Sequence, residues 1–377
     1  MVAEFKNESM NHSSQLACAP SEVDSLGETR GREARLEIVN PIQQPEWDSQ
    51  LVSHPDYTFF HGAAWVKVLC ATYRHKPLYF ALRGEHRLWG LLPVLEVNSR
   101  LTGSRGVSLP FTDECQPLSF GTVRYEDVLN KIIEYGKARN WNYLECRGGG
   151  NLVPGIPASL TFLGHTLELL ASEKTLFDRF ESSVRRAIRK AENAGVQVEI
   201  SSTLEALRTF YSLHCQTRKK HGVPPQSWAF FLNIHEHILS KKMGVVTVAK
   251  YRQTPIAAAV FFHLGAKAIY KYGASDMAFQ RLRGNNLMMW EAAKWYARQG
   301  GLSLHFGRTS ITNEGLRRFK LGFGTVEKKI EYFKYDVRKA RFVTDRDKAS
   351  GWYNAVFRWI PVPLARRLGT FLYRHLS

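Results

Sequence analysis

Apolar residues recur in short bursts that read as strands. Positions 78–82 and 88–95 flank a turn at 83–87 and predict a hairpin. Positions 245–249 and 256–264 flank a turn at 250–254 and predict a second one. A helical period follows each hairpin. Leu129, Ile132, Ile133 and Gly136 share one face of 126–139, and Leu287, Trp290, Glu291 and Lys294 take comparable places in 286–299. Each helix runs into a strand, 143–147 or 302–306. The order strand, turn, strand, strand, helix, strand thus recurs with a period of roughly 160 residues. Two readings fit: one α/β unit used twice, or two ordinary α/β halves alike by chance.

The flanks and the junction have their own patterns. Residues 1–34 are rich in Ser, Glu, Asn and Gly and bury too little to offset ordering entropy, so a disordered segment is expected. Between the halves, Leu176, Phe180, Val184, Ile188 and Ala191 recur at helical spacing and predict one helix over 173–195, stopped by Gly195. Arg185, Arg186, Arg189 and Lys190 crowd its other face, as a solvated surface or a phosphate-sized cationic patch. At the end, Trp352, Val356, Trp359 and Ile360 share one helical face. Pro361 and Pro363 break the helix, and Leu364, Leu368, Phe371 and Leu372 share another face, with Arg366, Arg367 and Arg374 elsewhere. This tail fits an interfacial membrane helix or a helical pair docked on the second half.

Charge narrows the partners. The 377 residues carry 52 − 34 = +18, which favours an anionic partner: nucleic acid, a phosphorylated precursor or an anionic membrane. A general nucleic-acid-binding protein ranks lowest, because basic residues are not interleaved with stacking aromatics in one module, and no DNA partner is expected. The five cysteines, Cys18, Cys70, Cys115, Cys146 and Cys215, are odd in number and widely spaced. That argues against a disulfide framework and a zinc site, so no metal is expected. No run of 18 apolar residues occurs. A cytoplasmic protein is expected, on the inner face of the membrane if the tail is interfacial.

Two loops carry candidate chemistry. Arg281-Leu-Arg-Gly-Asn-Asn286 follows a strand and opens a helix, where free N–H groups and the helix dipole attract an anion. Gly284 would let the backbone approach a pyrophosphate, Arg281 and Arg283 add charge, and Asn286 serves the same loop or caps the helix. The second stretch runs from Arg308 to Gly324 and is expected as a cationic loop between two strands, 302–306 and 329–335. It contains Phe319-Lys320, where a fixed cation could stabilise an oxyanion. Candidate bases are Asp276, Glu314 and His305. No nucleophile-elbow motif occurs, which favours direct transfer.

Several stretches together resemble the FemAB-like and CelD-like acyltransferases of the GNAT superfamily. They are Phe59-Phe-His-Gly-Ala-Ala-Trp-Val-Lys67, Ser108-Leu-Pro-Phe111, Val184-Arg-Arg-Ala-Ile-Arg-Lys-Ala-Glu-Asn-Ala-Gly-Val196, His221-Gly-Val-Pro-Pro225, Tyr270-Lys-Tyr-Gly-Ala-Ser-Asp276, Phe306-Gly-Arg-Thr-Ser310 and Gly315-Leu-Arg-Arg-Phe-Lys320. The resemblance covers residues 40–340. It implies an α/β (α+β) fold of two tandem GNAT domains with mixed sheets, 35–170 and 171–345, and a helical tail, 346–377. Acyl-CoA, or else aminoacyl-tRNA, is the implied donor, held by Arg281, Arg283, Gly284 and Asn286. An amine on a phosphorylated sugar or lipid-linked cell-envelope or exopolysaccharide precursor is the implied acceptor. Lys320, Phe319 and Asp276 are the implied catalytic residues, and Lys67, Arg185, Arg186, Arg189 and Arg308 the implied substrate contacts. A non-catalytic membrane-surface component of a polysaccharide assembly system is the other reading.

Overall fold

Pro93 divides what the sequence presents as one apolar run. It has no N–H for a ladder, and the chain turns there from strand Leu88–Leu92 into strand Leu95–Ser99. The expected hairpin forms with Tyr79–Arg83, but the part beyond Pro93 goes to another sheet. The computed structural model describes residues 35–84, 88–120, 125–149, 155–169, 172–345 and 352–376. The segment expected to be disordered, Cys18, most of the turn at 83–87 and the start of the tail lie outside the described residues.

The first half runs β1 (Arg35–Val39), α1 (Trp47–Leu51), α2 (Ala63–Tyr73), β2 (Lys76–Pro77), β3 (Tyr79–Arg83), β4 (Leu88–Leu92), β5 (Leu95–Ser99) and β6 (Gly103–Val107). It continues through β7 (Leu118–Ser119), α3 (Tyr125–Ala138), β8 (Trp141–Arg147) and β9 (Leu160–Glu168). The second half runs α4 (Glu173–Arg179), α5 (Ser182–Asn193), β10 (Val196–Ser201), α6 (Leu204–Lys220), α7 (Trp228–Ile234), β11 (Gly244–Tyr251), β12 (Thr254–Leu264) and β13 (Lys267–Ser275). Then come α8 (Gly284–Arg298), β14 (Ser303–Ser310), α9 (Glu314–Leu321), β15 (Val326–Asp336), β16 (Arg341–Val343), α10 (Trp352–Trp359) and α11 (Val362–Leu372).

One mixed sheet joins the halves, in the order β10-β11-β12-β13-β14-β9-β15-β8-β6-β5-β2. β9, from the first half, lies antiparallel between β14 and β15 of the second. β15 in turn extends beyond β9 to pair with β8. The first half also keeps a separate four-stranded sheet of its own, in the order β1-β3-β4-β7. An apolar cluster is shared as well, with Trp65 and Leu69 of α2 packed among Phe230, Phe231 and Phe262. On the opposite face α5 and α8 cover the sheet through Val184, Ile188, Leu287, Met288 and Ala292.

Three expectations change here. The helix expected over 173–195 is two helices. Phe180 leaves the helical path at ψ 146°, and its buried ring meets Trp290 and Phe323. The burial of one aromatic side chain outweighs one continuous helical ladder. The stretch expected as a loop between strands holds α9, whose first turn is capped by Asn313 Oδ1 on the Leu316 N–H at 3.1 Å. The turn between β11 and β12 tightens to Arg252 and Gln253, both at positive φ, as a two-residue hairpin requires.

The tail is docked. Asn354 donates to the Gly222 and His221 carbonyls at the end of α6. Tyr373 is buried and donates to the Pro224 carbonyl at 3.1 Å. Arg105 of β6 donates to the His375 carbonyl at 2.8 Å, so the tail spans both halves. Trp359, Leu364 and Phe371 nevertheless face outward, Trp359 at 88% exposure. No helix among the described residues is long and apolar enough to cross a membrane. Gly369 fits where any Cβ would stand 1.9 Å from the Pro225 carbonyl oxygen. Gly369→Ala is expected to cost about 2 kcal/mol. Limited proteolysis should then cut the tail first, ahead of global unfolding.

Candidate active site

β13 and β14 are parallel neighbours through only three pairs, Lys267↔Ser303, Ala268↔Leu304 and Ile269↔His305. Past these the ladder stops. β14 bulges between His305 and Arg308, with Gly307 at φ 72°, a left-handed value that glycine adopts without strain. Asp113, from the first half, stands where the strands part. Its Oδ2 accepts from Lys271 Nζ of β13 at 2.7 Å and its Oδ1 from the Arg308 N–H of β14 at 3.1 Å. Burial opposes the carboxylate, but Lys271 and Arg308 together hold it well below the usual range.

Beyond β13 the chain makes a short 3-10 turn, Met277–Leu282, and reaches α8 through Arg283 at φ 59°. No side chain caps α8. The residues of its first turn, Gly284, Asn285 and Asn286, line a cleft of about 470 Å³ together with Asp276 and Arg283, with Phe319 of α9 across it. An uncapped N-terminus of a helix this long is a ready anion site. Asp276 uses its Oδ1 to accept the Ala278 N–H at 2.9 Å, so it works as a turn cap at the cleft wall. Gly284 has a packing reason: a Cβ there would stand 2.9 Å from Ile256 Cδ1. Helix and sheet approach closely at that point, a different cause from the close approach to phosphate expected of this glycine.

Lys320 points the other way from its neighbour. Its side chain is 2% exposed, and Nζ donates to the Gly307 carbonyl at 2.7 Å and the Arg308 carbonyl at 3.1 Å. Burial lowers its pKa to about 8, partly offset by the charge of Asp113. Arg308 rests over the Phe162 ring, 4.3 Å from its centroid, and donates to the Tyr332 hydroxyl at 2.7 Å. On α9, Arg317 grips Glu327 of β15 with two bonds of 2.7 and 2.8 Å. Glu327 also bonds His165 of β9 at 3.0 Å. This network ties the helix carrying Phe319 and Lys320 to strands from both halves.

The remaining candidates spread out. Arg281 is exposed and outside the cleft lining. Arg185 bonds the Asp178 carbonyl at 3.1 Å, and Arg189 covers the Phe177 ring, so both help pack α4 on α5; Arg186 is free at the surface. Lys67 is exposed on α2 and does not line the α8 cleft. Glu314 is exposed in the first turn of α9. His305 Nδ1 accepts the Gly307 N–H at 3.0 Å, and burial lowers its pKa to about 4. Its proton therefore sits on Nε2, which makes the ring a donor rather than a base. Burial raises the thiols of Cys115, Cys146 and Cys215, leaving none of them a ready thiolate nucleophile. Asp113, Lys271, Tyr332, His165 and Glu327 escaped sequence reasoning. They lie in separate stretches with no shared motif, and only strand pairing brings them together.

Comparison with known proteins agrees with this geometry. Residues 178–322 match the family model described as the acetyltransferase (GNAT) domain. The structure of FemX superposes with a TM-score of 0.60 at 15% identity, covering 79% of this chain and 96% of that one. L-PGS from Bacillus licheniformis gives 0.50 at 11% identity, over 89% of this chain and 99% of that one. A tandem GNAT protein from the clavulanic acid biosynthesis pathway gives 0.50 at 9%, over 81% and 99%. No curated protein matches the sequence. Residues 178–322 are thus similar to a GNAT acetyltransferase domain, and the chain has the mixed α/β fold of the tandem GNAT structures.

The buried ammonium of Lys320 has a consequence for stability. Above pH 8 the folded chain has released a proton that the unfolded chain keeps to about pH 10.4. The unfolded state then binds more protons, so stability rises with pH across that window. The wild-type melting temperature should gain on that of Lys320→Met between pH 8 and 10, by the equivalent of about 2 kcal/mol. Parallel melting curves across that range would place the lysine in solvent.

Proposed function

We propose that the chain moves an acyl or aminoacyl group to an amine of a cell-envelope or exopolysaccharide precursor. The observation that carries this reading is the early parting of β13 and β14 beside an uncapped helix. The donor's phosphates rest on the first N–H groups of α8, with Arg283 and Asn286 beside them. Its reactive end enters the gap toward Lys320 at the bulge. Acyl-CoA fits the compact cleft at α8, and aminoacyl-tRNA is the other donor that the net charge of +18 suits.

The chemistry needs no covalent intermediate. The amine attacks the acyl carbon, and negative charge gathers on the carbonyl oxygen. Two of the three Lys320 N–H bonds are fixed on backbone carbonyls, which leaves one for that oxygen. Phe319 shields the donor cleft, and Arg308 offers a cation on an aromatic shelf for an anionic acceptor. Exposed Trp359, Leu364 and Phe371 beside exposed Arg358, Arg366, Arg367 and Arg374 suit a lipid-linked acceptor at an anionic membrane surface.

Two variants test the donor and the reaction separately. Asn286→Asp sets a negative charge at the α8 start without the clash expected at Gly284. It should weaken binding of CoA or aminoacyl-tRNA about tenfold, read by calorimetry. Unchanged affinity for both would remove this helix from the donor site. Lys320→Ala should lower turnover about 10²-fold with donor affinity retained. Normal turnover would return Lys320 to a structural role.

A further inference from the structure

A second cleft, of about 800 Å³, opens on the other side of Asp113. Its walls are the chain at 56–60 and 113–116 from the first half, and the paired ends of β13 and β14 from the second. It shares Asp113 and His305 with the point where those strands part. Its first-half walls are fixed to each other. The His61 ring is fully buried; Nδ1 accepts the Thr58 N–H at 3.0 Å, and Nε2 donates to the Gln116 carbonyl at 2.8 Å. Thr58 Oγ1 adds a bond of 3.4 Å to the Glu114 carbonyl.

Glu114 is the group this arrangement leaves without a counterpart. Its backbone is held on both sides, yet its carboxylate has no hydrogen-bond or ion-pair partner among the described residues. The charged groups that face it are Asp56, Asp113, Lys267 and Lys328. Asp113 is taken by Lys271. Lys267 donates to the Pro55 and Tyr57 carbonyls and sits over the Tyr57 ring. Lys328 is exposed. His305, across the cleft, is a neutral donor. Burial raises the Glu114 pKa, as expected of a carboxylate with no cation bonded to it. Glu114 is half-buried on the cleft wall, and a carboxylate there without a bonded cation is open to pairing with a cationic ligand.

We infer that this cleft binds a primary ammonium group, with Glu114 as its ionic partner and the acceptor of its proton. The inference rests on the acyl-transfer reading. Glu114 takes one proton from the ammonium, and the freed lone pair attacks the acyl carbon. The new C–N bond forms as the donor's C–S or C–O bond breaks. The nitrogen's second proton leaves with the departing thiol or ribose hydroxyl. The ammonium is that of the acceptor, since only the acceptor nitrogen forms the new bond.

The probe is n-propylammonium, followed by saturation-transfer NMR on the full chain, with propionate as the control. The wild type should bind propylammonium and not propionate, and lose the amine as pH falls through the raised Glu114 pKa. Glu114→Gln should weaken it about tenfold or more, since a charged hydrogen bond becomes a neutral one. Lys328→Gln, which removes a competing cation, should bind it equally or more tightly. Equal binding by Glu114→Gln and wild type, or no binding by the wild type, overturns the site. Calorimetry with CoA and aminoacyl-tRNA keeps the two ideas apart, because Glu114→Gln should leave donor affinity unchanged. Donor binding without amine binding sinks this site alone; absence of both donors sinks the acyl-transfer reading. Displacement of propylammonium by saturating aminoacyl-tRNA would make Glu114 an ionic partner of the donor and overturn its role as proton acceptor. Simultaneous binding with CoA assigns the amine to the acceptor.

Discussion

The carboxylate of Asp113 is the interaction on which the site depends. It brings a first-half loop into the gap between two second-half strands and bonds to both of them. The Tyr332 hydroxyl donates to the Asp113 carbonyl at 2.6 Å, and Arg308 donates to that hydroxyl in turn. Lys271 is buried with Asp113 as its ion-pair partner. Losing the aspartate would leave an uncompensated ammonium in the interior, a defect worth several kcal/mol. One ion pair therefore fixes the bulge, the approach of Lys320 and the wall that carries Glu114.

Strand exchange supplies the frame for that pair. Because β9 lies between β14 and β15, the bulge and α9 are backed by chain from the first half. His165 on β9 reaches Glu327, which holds Arg317 of α9. The helix bearing Phe319 and Lys320 is thus positioned by residues about 150 positions upstream as well as by its own strands. The tail adds a third tie, from α6 to β6. A site built at such a junction responds to any motion between halves, which suits a reaction that must exclude water.

Charge is sorted by depth. The arginines that make the chain basic lie on the outer faces of α5, α9 and the tail, where they suit phosphate-bearing partners. Among the described residues, Lys271 and Lys320 are lysines with buried side chains, each held on oxygen acceptors. Burial pulls both pKa values down. Lys320 is accordingly a cation whose charge is adjustable near neutral pH, which a surface lysine is not.

Much of the architecture was legible along the chain. Hydrophobic period and turn residues marked the hairpins, α3, α8 and the two tail helices, because those features are local. The loop at 281–286 and the Phe319-Lys320 pair stood out for the same reason: an anion site at a helix start needs only adjacent residues. Other features were not local. Phe180 broke an expected helix because its ring found Trp290, more than 100 positions ahead. The direction of Lys320 was set by a bulge in β14, and the role of Gly284 by Ile256 on β12. Asp113, Glu114 and His165 carried no motif at all. The sequence by itself determined most of the strands and helices and that the stretch at 281–286 opens a helix. Tertiary structure decided which side chains met, because the crossing of β9 and β15 between halves depends on the packing of the whole sheet and on no single stretch of it.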